Sequence, residues 1–197
     1  FDAFKDLDSR NIESEKPIIA ILPGSRKQEI ANSLPIMMEV AKSFENYQFI
    51  IAGAPSISQD YYRSITLDSY MPVLSNQTHA LLKECKAAIV TSGTATLEAA
   101  ILKVPQVVCY KTSSISYFLA KLVVKVKYIA LVNLICDKEV VKELIQNDFN
   151  VDNLVNELNR ILNKKNKTQI HSDYERMIGL IGDDGASQRA AQAINLI

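Results

Sequence analysis

Pro17-Ile18-Ile19-Ala20-Ile21-Leu22 is an unbroken apolar run that ends on Pro23-Gly24. A strand with one wet face alternates polar and apolar side chains. A run without polar positions fits a strand buried on both faces, as in a parallel sheet covered above and below. The pattern recurs along the chain. YQFIIA at Tyr47 to Ala52 closes on Gly53-Ala54-Pro55, and Met71 to Leu74 is a short third run. Ala87 to Val90 leads into Thr91-Ser92-Gly93, and QVVCY at Gln106 to Tyr110 follows Pro105. Between these runs the spacing is helical. Ser25 to Glu45 carries Ile30, Leu34, Met37, Met38 and Ala41 on one face, Ser75 to Glu84 reads as a second helix, and a third runs from the Gly93 turn to Lys103. Strand and helix alternating over short connections predict an α/β fold, a doubly wound parallel sheet with helices on both faces. From Lys138 onward the chain reads as helical: KEVVKELIQ, then VDNLVNELNRIL, then pieces around Tyr174 to Ile181 and Ala186 to Ile197. The expected organisation is a charged linker or the end of a preceding element over 1–16, a sheet domain over 17–150, and C-terminal helices over 151–197.

Composition narrows the function classes. Apolar types make up 48% of the chain, enough for a sizeable core, which excludes disorder. Twenty-two basic and 22 acidic side chains cancel, and no nucleic-acid partner is expected of such a balance. No uncharged run is long enough to cross a bilayer. Cys85, Cys109 and Cys136 lack CxxC spacing and sit in or beside apolar segments, which reads as reduced thiols of a cytoplasmic protein. The first residue is Phe1, and the expectation is a piece of a longer polypeptide. Charge is uneven locally. From Ala99 to Cys136 there are five lysines and no Asp or Glu. Such a stretch favours phosphate or lipid headgroups, or it is a solvated face balanced by acids folded nearby.

In an open α/β sheet, ligands sit where strands turn into helices at their carboxyl ends. Two such turns are unusual here. In Leu22-Pro23-Gly24-Ser25-Arg26, Gly24 lets backbone approach a ligand, the helix start near Ser25 offers free amides, and Arg26 adds a permanently charged planar donor. The alternative is an ordinary turn with a solvent-facing arginine; the loop matches neither GxxxxGK[ST] nor GxGxxG. The second turn, Thr91-Ser92-Gly93-Thr94-Ala95-Thr96-Leu97-Glu98, is small and hydroxylic where a loop hugging diphosphate must be. Glu98 falls about one helical turn after Thr94, and its carboxylate suits a ribose diol, from which it can accept two hydroxyl protons. The alternative is an N-capped helix with an acid favoured by the macrodipole.

Other candidates carry less. His79 and His171 are too far apart in sequence to indicate a metal, and no Cys/His cluster joins them. Cys109 lies within a strand and reads as a packing thiol. Asn133 sits in the apolar segment LVNLIC, so its amide meets either a ligand or the backbone as a clamp. Ile115 to Leu134 reads as a helix and a strand whose lysines snorkel to water, or as a segment grazing a membrane.

LPGSRKQEI, TSGTATLEAAILKVPQVVCYK and LVNLICDKEVVKELIQNDF, in that order, resemble the C-terminal half of the lipid-A-disaccharide synthases, as does a tail ending GASQRAAQAI. The resemblance covers about Pro17 to Phe149; it departs at Lys142, where the family usually has proline. It implies the C-terminal, Rossmann-like domain of a GT-B glycosyltransferase. The family transfers 2,3-diacylglucosamine from UDP-2,3-diacylglucosamine to 2,3-diacylglucosamine 1-phosphate and releases UDP, with no metal and no cofactor. It works peripherally at the cytoplasmic side of the inner membrane. Carried over by position, Gly24, Ser25 and Arg26 and the loop Ser92, Gly93, Thr94, Ala95 and Thr96 face the diphosphate. Glu98 binds ribose, Asn133 contacts UDP, and Gln146 is its neighbour. The general base and most of the acceptor site belong to an N-terminal domain that these residues do not include. The alternatives are another GT-B UDP-GlcNAc transferase, a UDP-GlcNAc 2-epimerase, or a non-catalytic nucleotide-binding module. Exposed apolar faces on helices after Val151 would invite a homodimer.

Overall fold

A computed structural model describes residues 12, 14–67, 71–112 and 127–182. The apolar runs are strands β1 (Ile18–Leu22), β2 (Gln48–Gly53), β3 (Val73–Ser75), β4 (Cys85–Thr91) and β5 (Gln106–Tyr110), with β6 at Lys142–Ile145. All pair in parallel in the order β3-β2-β1-β4-β5-β6. The direction of progression reverses between β1 and β4, and at their carboxyl ends a crevice must open between diverging loops.

Side chains alternate across the sheet, and both faces are dry. Ile19, Ile21, Ile51 and Ile89 point to one side, where they meet Ile30, Leu34 and Met37 of α1 (Lys27–Val40) and Tyr62 of α2 (Gln59–Thr66). Ile18, Ala20, Leu22, Ala88 and Val90 point to the other, against Leu81 and Leu82 of α3 (Thr78–Glu84) and Ala99 of α4 (Thr94–Ile101). The chain's own helices therefore complete the core on both faces.

A short helix α5 (Leu131–Cys136) precedes β6, and α6 (Val151–Leu162) and α7 (Lys164–Ile181) follow it. Asn150 caps α6 through the Asn153 amide, and Leu154, Leu158 and Ile161 are its buried stripe. These C-terminal helices pack on their own chain's sheet and helices. Tyr174 of α7 is fully buried, and its hydroxyl accepts from Gln106 Nε2 at 3.3 Å. At the surface, Lys138 meets Asp173 at 2.8 Å and Lys103 meets Glu175 at 3.0 Å.

One element departs from expectation. KEVVKELIQ is helical in its spacing, yet Lys142–Ile145 is an edge strand on β5, pairing Val108 with Glu143 and Cys109 with Leu144. Tertiary pairing with β5 overrides the local preference, and it sets the Glu143 carboxylate against the amides at the start of α5. The Ser25–Glu45 helix ends at Val40, continued by a 3-10 turn over Ala41–Ser43. The expected helix at Ala186 to Ile197, the GASQRAAQAI tail, most of the 1–16 linker and residues 113–126 of the lysine-rich stretch lie outside the described residues.

Candidate functional site

A cavity of about 430 Å³ opens at the reversal point, walled by Leu22, Ala52 and Thr91 at the strand ends. The loops Gly24 to Arg26 and Thr91 to Ala95 face each other across it, with Glu29, Thr78 and Glu98 completing the wall. Two helices aim their N-terminal ends at this space, α1 after the first loop and α4 after the second. No side chain of the N-cap residue covers either end. The first-turn amides of a helix have no acceptor within it and carry the positive end of its dipole. Two converging helix starts make a site for an anion with two charged centres.

Gly24 adopts φ +108°, in the region that other residues avoid. A Cβ there would stand 2.8 Å from Glu29 Oε2. The tight turn lets Glu29 fold back over the loop. Its Oε2 accepts the Ser25 amide at 3.3 Å and its Oε1 accepts from Arg26 at 3.0 Å. The Arg26 side chain remains 81% exposed, held at the rim by this pair. Tyr61 braces the start of α1 by donating its hydroxyl to the Lys27 carbonyl at 2.8 Å. Beneath the cavity floor, the Ala54 amide donates to the Tyr62 hydroxyl at 2.9 Å, and burial raises the Tyr62 pKa, keeping the phenol neutral.

In the second loop, Ser92 is an anchor. Its amide donates to the Cys109 carbonyl at 3.0 Å and its hydroxyl to the Ile129 carbonyl at 3.2 Å. Gly93, at φ +158°, and Thr94 are exposed at the mouth, and Ala95 lines the cavity. Glu98 reaches the wall one turn further on, and its Oε2 lies 3.0 Å from His79 Nε2 of α3. An ionised carboxylate only accepts, so Nε2 carries the hydrogen of this bond.

Eight of the expected residues, Gly24, Ser25, Arg26, Ser92, Gly93, Thr94, Ala95 and Glu98, line this one cavity. Three lie elsewhere. Thr96 is buried and donates its hydroxyl back to the Gly93 carbonyl at 2.8 Å, shaping the loop from behind. Asn133 is completely buried, and all four of its amide valences are used. Its Oδ1 accepts from Val140 N and Val141 N, and its Nδ2 donates to Val141 O and Glu143 Oε1. It is the backbone clamp of the two roles open to it, and in this arrangement it has no hydrogen-bonding capacity left for a ligand. Gln146 accepts the Thr112 amide at 2.9 Å and donates to the Thr112 carbonyl at 3.1 Å.

These residues form a chain of supports. Glu143 accepts the Ile129 amide at 3.0 Å, the Ala130 amide at 3.0 Å and Asn133 Nδ2 at 2.8 Å, and Ile129 in turn receives the Ser92 hydroxyl. Sequence reasoning missed Glu29, His79 and Glu143. Glu29 was within reach, because it stands at the third position of α1, at the carboxyl edge. Among the described residues, no group of three or more His, Cys, Asp or Glu converges as a metal site would require.

Residues 3–197 match the family model described as lipid-A-disaccharide synthetase. The chain belongs to the lipid-A-disaccharide synthase family. It is 36% identical over 194 residues to a lipid-A-disaccharide synthase of Psychromonas ingrahamii, covering 94% of this chain and 50% of that protein. With the corresponding protein of a Sulfurihydrogenibium species it is 34% identical, covering all of this chain and 54% of the relative. It therefore spans about half the length of the family members it matches. Among solved structures, the calicheamicin glycosyltransferase CalG4 superposes with a TM-score of 0.58 at 14% identity, over 95% of this chain and 43% of that one. An O-GlcNAc transferase mutant of Thermobaculum terrenum gives 0.55 at 13% identity, over 98% and 37%. At such identity the likeness concerns fold alone: one Rossmann-like domain of the GT-B architecture.

Proposed function

We propose that this chain is the donor-binding half of a lipid A glycosyltransferase. The full reaction transfers 2,3-diacylglucosamine from UDP-2,3-diacylglucosamine to 2,3-diacylglucosamine 1-phosphate and releases UDP. The observation that carries this reading is the cavity at the sheet's reversal point, with two helix starts aimed into it and a carboxylate on its wall. Gly24, Ser25, Arg26, Gly93, Thr94 and Ala95 surround the diphosphate, and Glu98 accepts from the ribose hydroxyls. Breaking the glycosidic bond to UDP builds negative charge on the leaving phosphate. Amides fixed in place by the folded loops, with Arg26 swinging in from Glu29, stabilise that charge with little reorganisation. Asn133, Glu143 and Gln146 contribute by holding the segments that flank this site, and Ser92 ties the second loop to them.

The acceptor and the general base belong to an N-terminal domain. Its docking over the mouth brings the acceptor hydroxyl to the sugar and excludes water. The acylated substrates place the whole enzyme peripherally at the cytoplasmic side of the inner membrane. The test combines binding and turnover. The chain alone should bind UDP in a calorimetric titration and form no disaccharide, and adding the N-terminal half should restore synthesis. Disaccharide formation by the chain alone would overturn the division of labour. Absence of UDP binding even with both halves present would overturn the donor site.

A further inference from the structure

We infer that His79 is a positioning residue that sets the site's preference for ribose over deoxyribose by fixing the Glu98 carboxylate. The inference rests on the donor-site reading and adds to it a residue on a different element. Glu98 stands on α4 and His79 on α3, and they meet at 3.0 Å along the cavity wall beside Thr78. Both side chains are 29% exposed, so the pair is half sheltered and still open to a ligand.

A glutamate has three rotatable side-chain bonds, and an untethered carboxylate samples orientations in which only some face a diol. Tethering Oε2 to His79 removes that freedom before the ligand arrives and leaves Oε1 and a second lone pair of Oε2 for the ribose. A diol held by a prefixed carboxylate is discriminated from a sugar lacking one hydroxyl, because one lone pair then loses the partner it was positioned for. The contact is made by Nε2 specifically. Glutamine places its Nε2 at a similar reach and also donates, so it should replace the contact, whereas alanine should not.

The experiment is calorimetric titration of the chain with UDP and with 2′-deoxy-UDP for wild type, His79→Ala, His79→Gln and Glu98→Ala, with melting curves confirming that each folds. Wild type should prefer UDP by about tenfold or more, the worth of one hydrogen bond to a charged acceptor. Glu98→Ala should bring the ratio close to one, His79→Ala should lower it about threefold to tenfold, and His79→Gln should return it to within about twofold of wild type. A merely structural His79 would weaken both nucleotides equally and leave the ratio alone. If Glu98→Ala abolishes the ratio and His79→Ala preserves it, the role of His79 is wrong and the ribose assignment stands. If Glu98→Ala preserves the ratio, the ribose assignment fails and the role of His79 fails with it.

Discussion

Asn133→Ala separates two roles that the residue's place in the family motif leaves confounded. Asn133 accepts the Val140 and Val141 amides at 2.8 and 2.9 Å and donates to the Val141 carbonyl and Glu143, both at 2.8 Å. Val140 and Val141 are 6% and 1% exposed, so the Val141 amide and carbonyl lose the Asn133 contact where bulk water is remote, while the Val140 amide keeps the Lys138 carbonyl at 2.9 Å. Leaving one buried polar group unsatisfied costs about 1–3 kcal/mol. Glu143 keeps its bonds to Ile129 and Ala130 and suffers less. With some relief from a water entering the vacated space, the loss should be about 2–4 kcal/mol. For a domain of this size that is a fall in Tm of about 10 °C. Asn133→Asp, which places an acceptor against both Val141 O and Glu143, should be no better than alanine. Thermal and urea unfolding followed by circular dichroism measure the change. UDP affinity should fall only as far as the loosened Ile129–Ser92 support permits. An Asn133→Ala chain that melts within about 1 °C of wild type yet loses UDP binding would refute the clamp and make Asn133 a ligand contact.

Gly24→Ala should cost about 1–3 kcal/mol of stability in denaturant unfolding and also weaken UDP binding, since it forces a Cβ into φ +108° and toward Glu29. Arg26→Ala should show the reverse pattern. Its exposed pair with Glu29 contributes at most about 0.5 kcal/mol to folding, while loss of a charged phosphate donor should lower UDP affinity by about tenfold or more, leaving uridine affinity unchanged. Burial pushes the Cys85 thiol up to about 12 and the Cys109 thiol higher still, so at pH 8 iodoacetamide should label Cys136 first in the native chain, with mass spectrometry identifying the site. Burial, followed by the nearby Lys167 charge, lowers the His171 pKa below its ordinary 6.5. The folded state then binds this proton less readily than the unfolded one, so its stabilising contribution is present above pH 6.5 and is lost as pH falls below that value. His171→Gln should flatten that part of the stability profile, measured by urea unfolding between pH 5 and 8.

The central strands were legible because a parallel strand buried on both faces has no polar positions, as in Ile18 to Leu22. The edge was not. Lys142–Ile145 mixes Lys and Glu with two aliphatics in a helical period, and only pairing with β5 makes it a strand. The helix at Gln59–Thr66 was passed over because its apolar content is slight, although Ser58 caps it through the Tyr61 amide at 3.3 Å. For the site, the two loops were readable because each couples a strand end, a glycine and a helix start within a few residues. His79 was not, because its partner lies 19 positions away and only the packing of α3 beside α4 joins them. Asn133 shows the converse: chemistry narrowed it to a ligand contact or a clamp, and the choice needed the fold of Val140 and Val141 around it.

A crystal structure of the chain with UDP tests the account most directly. The account predicts the diphosphate between Gly24–Arg26 and Gly93–Ala95, Arg26 turned from Glu29 toward it, and the ribose hydroxyls on Glu98 with His79 still in contact. UDP bound away from the β1 and β4 carboxyl ends, or bound there with its ribose turned from Glu98, would contradict it.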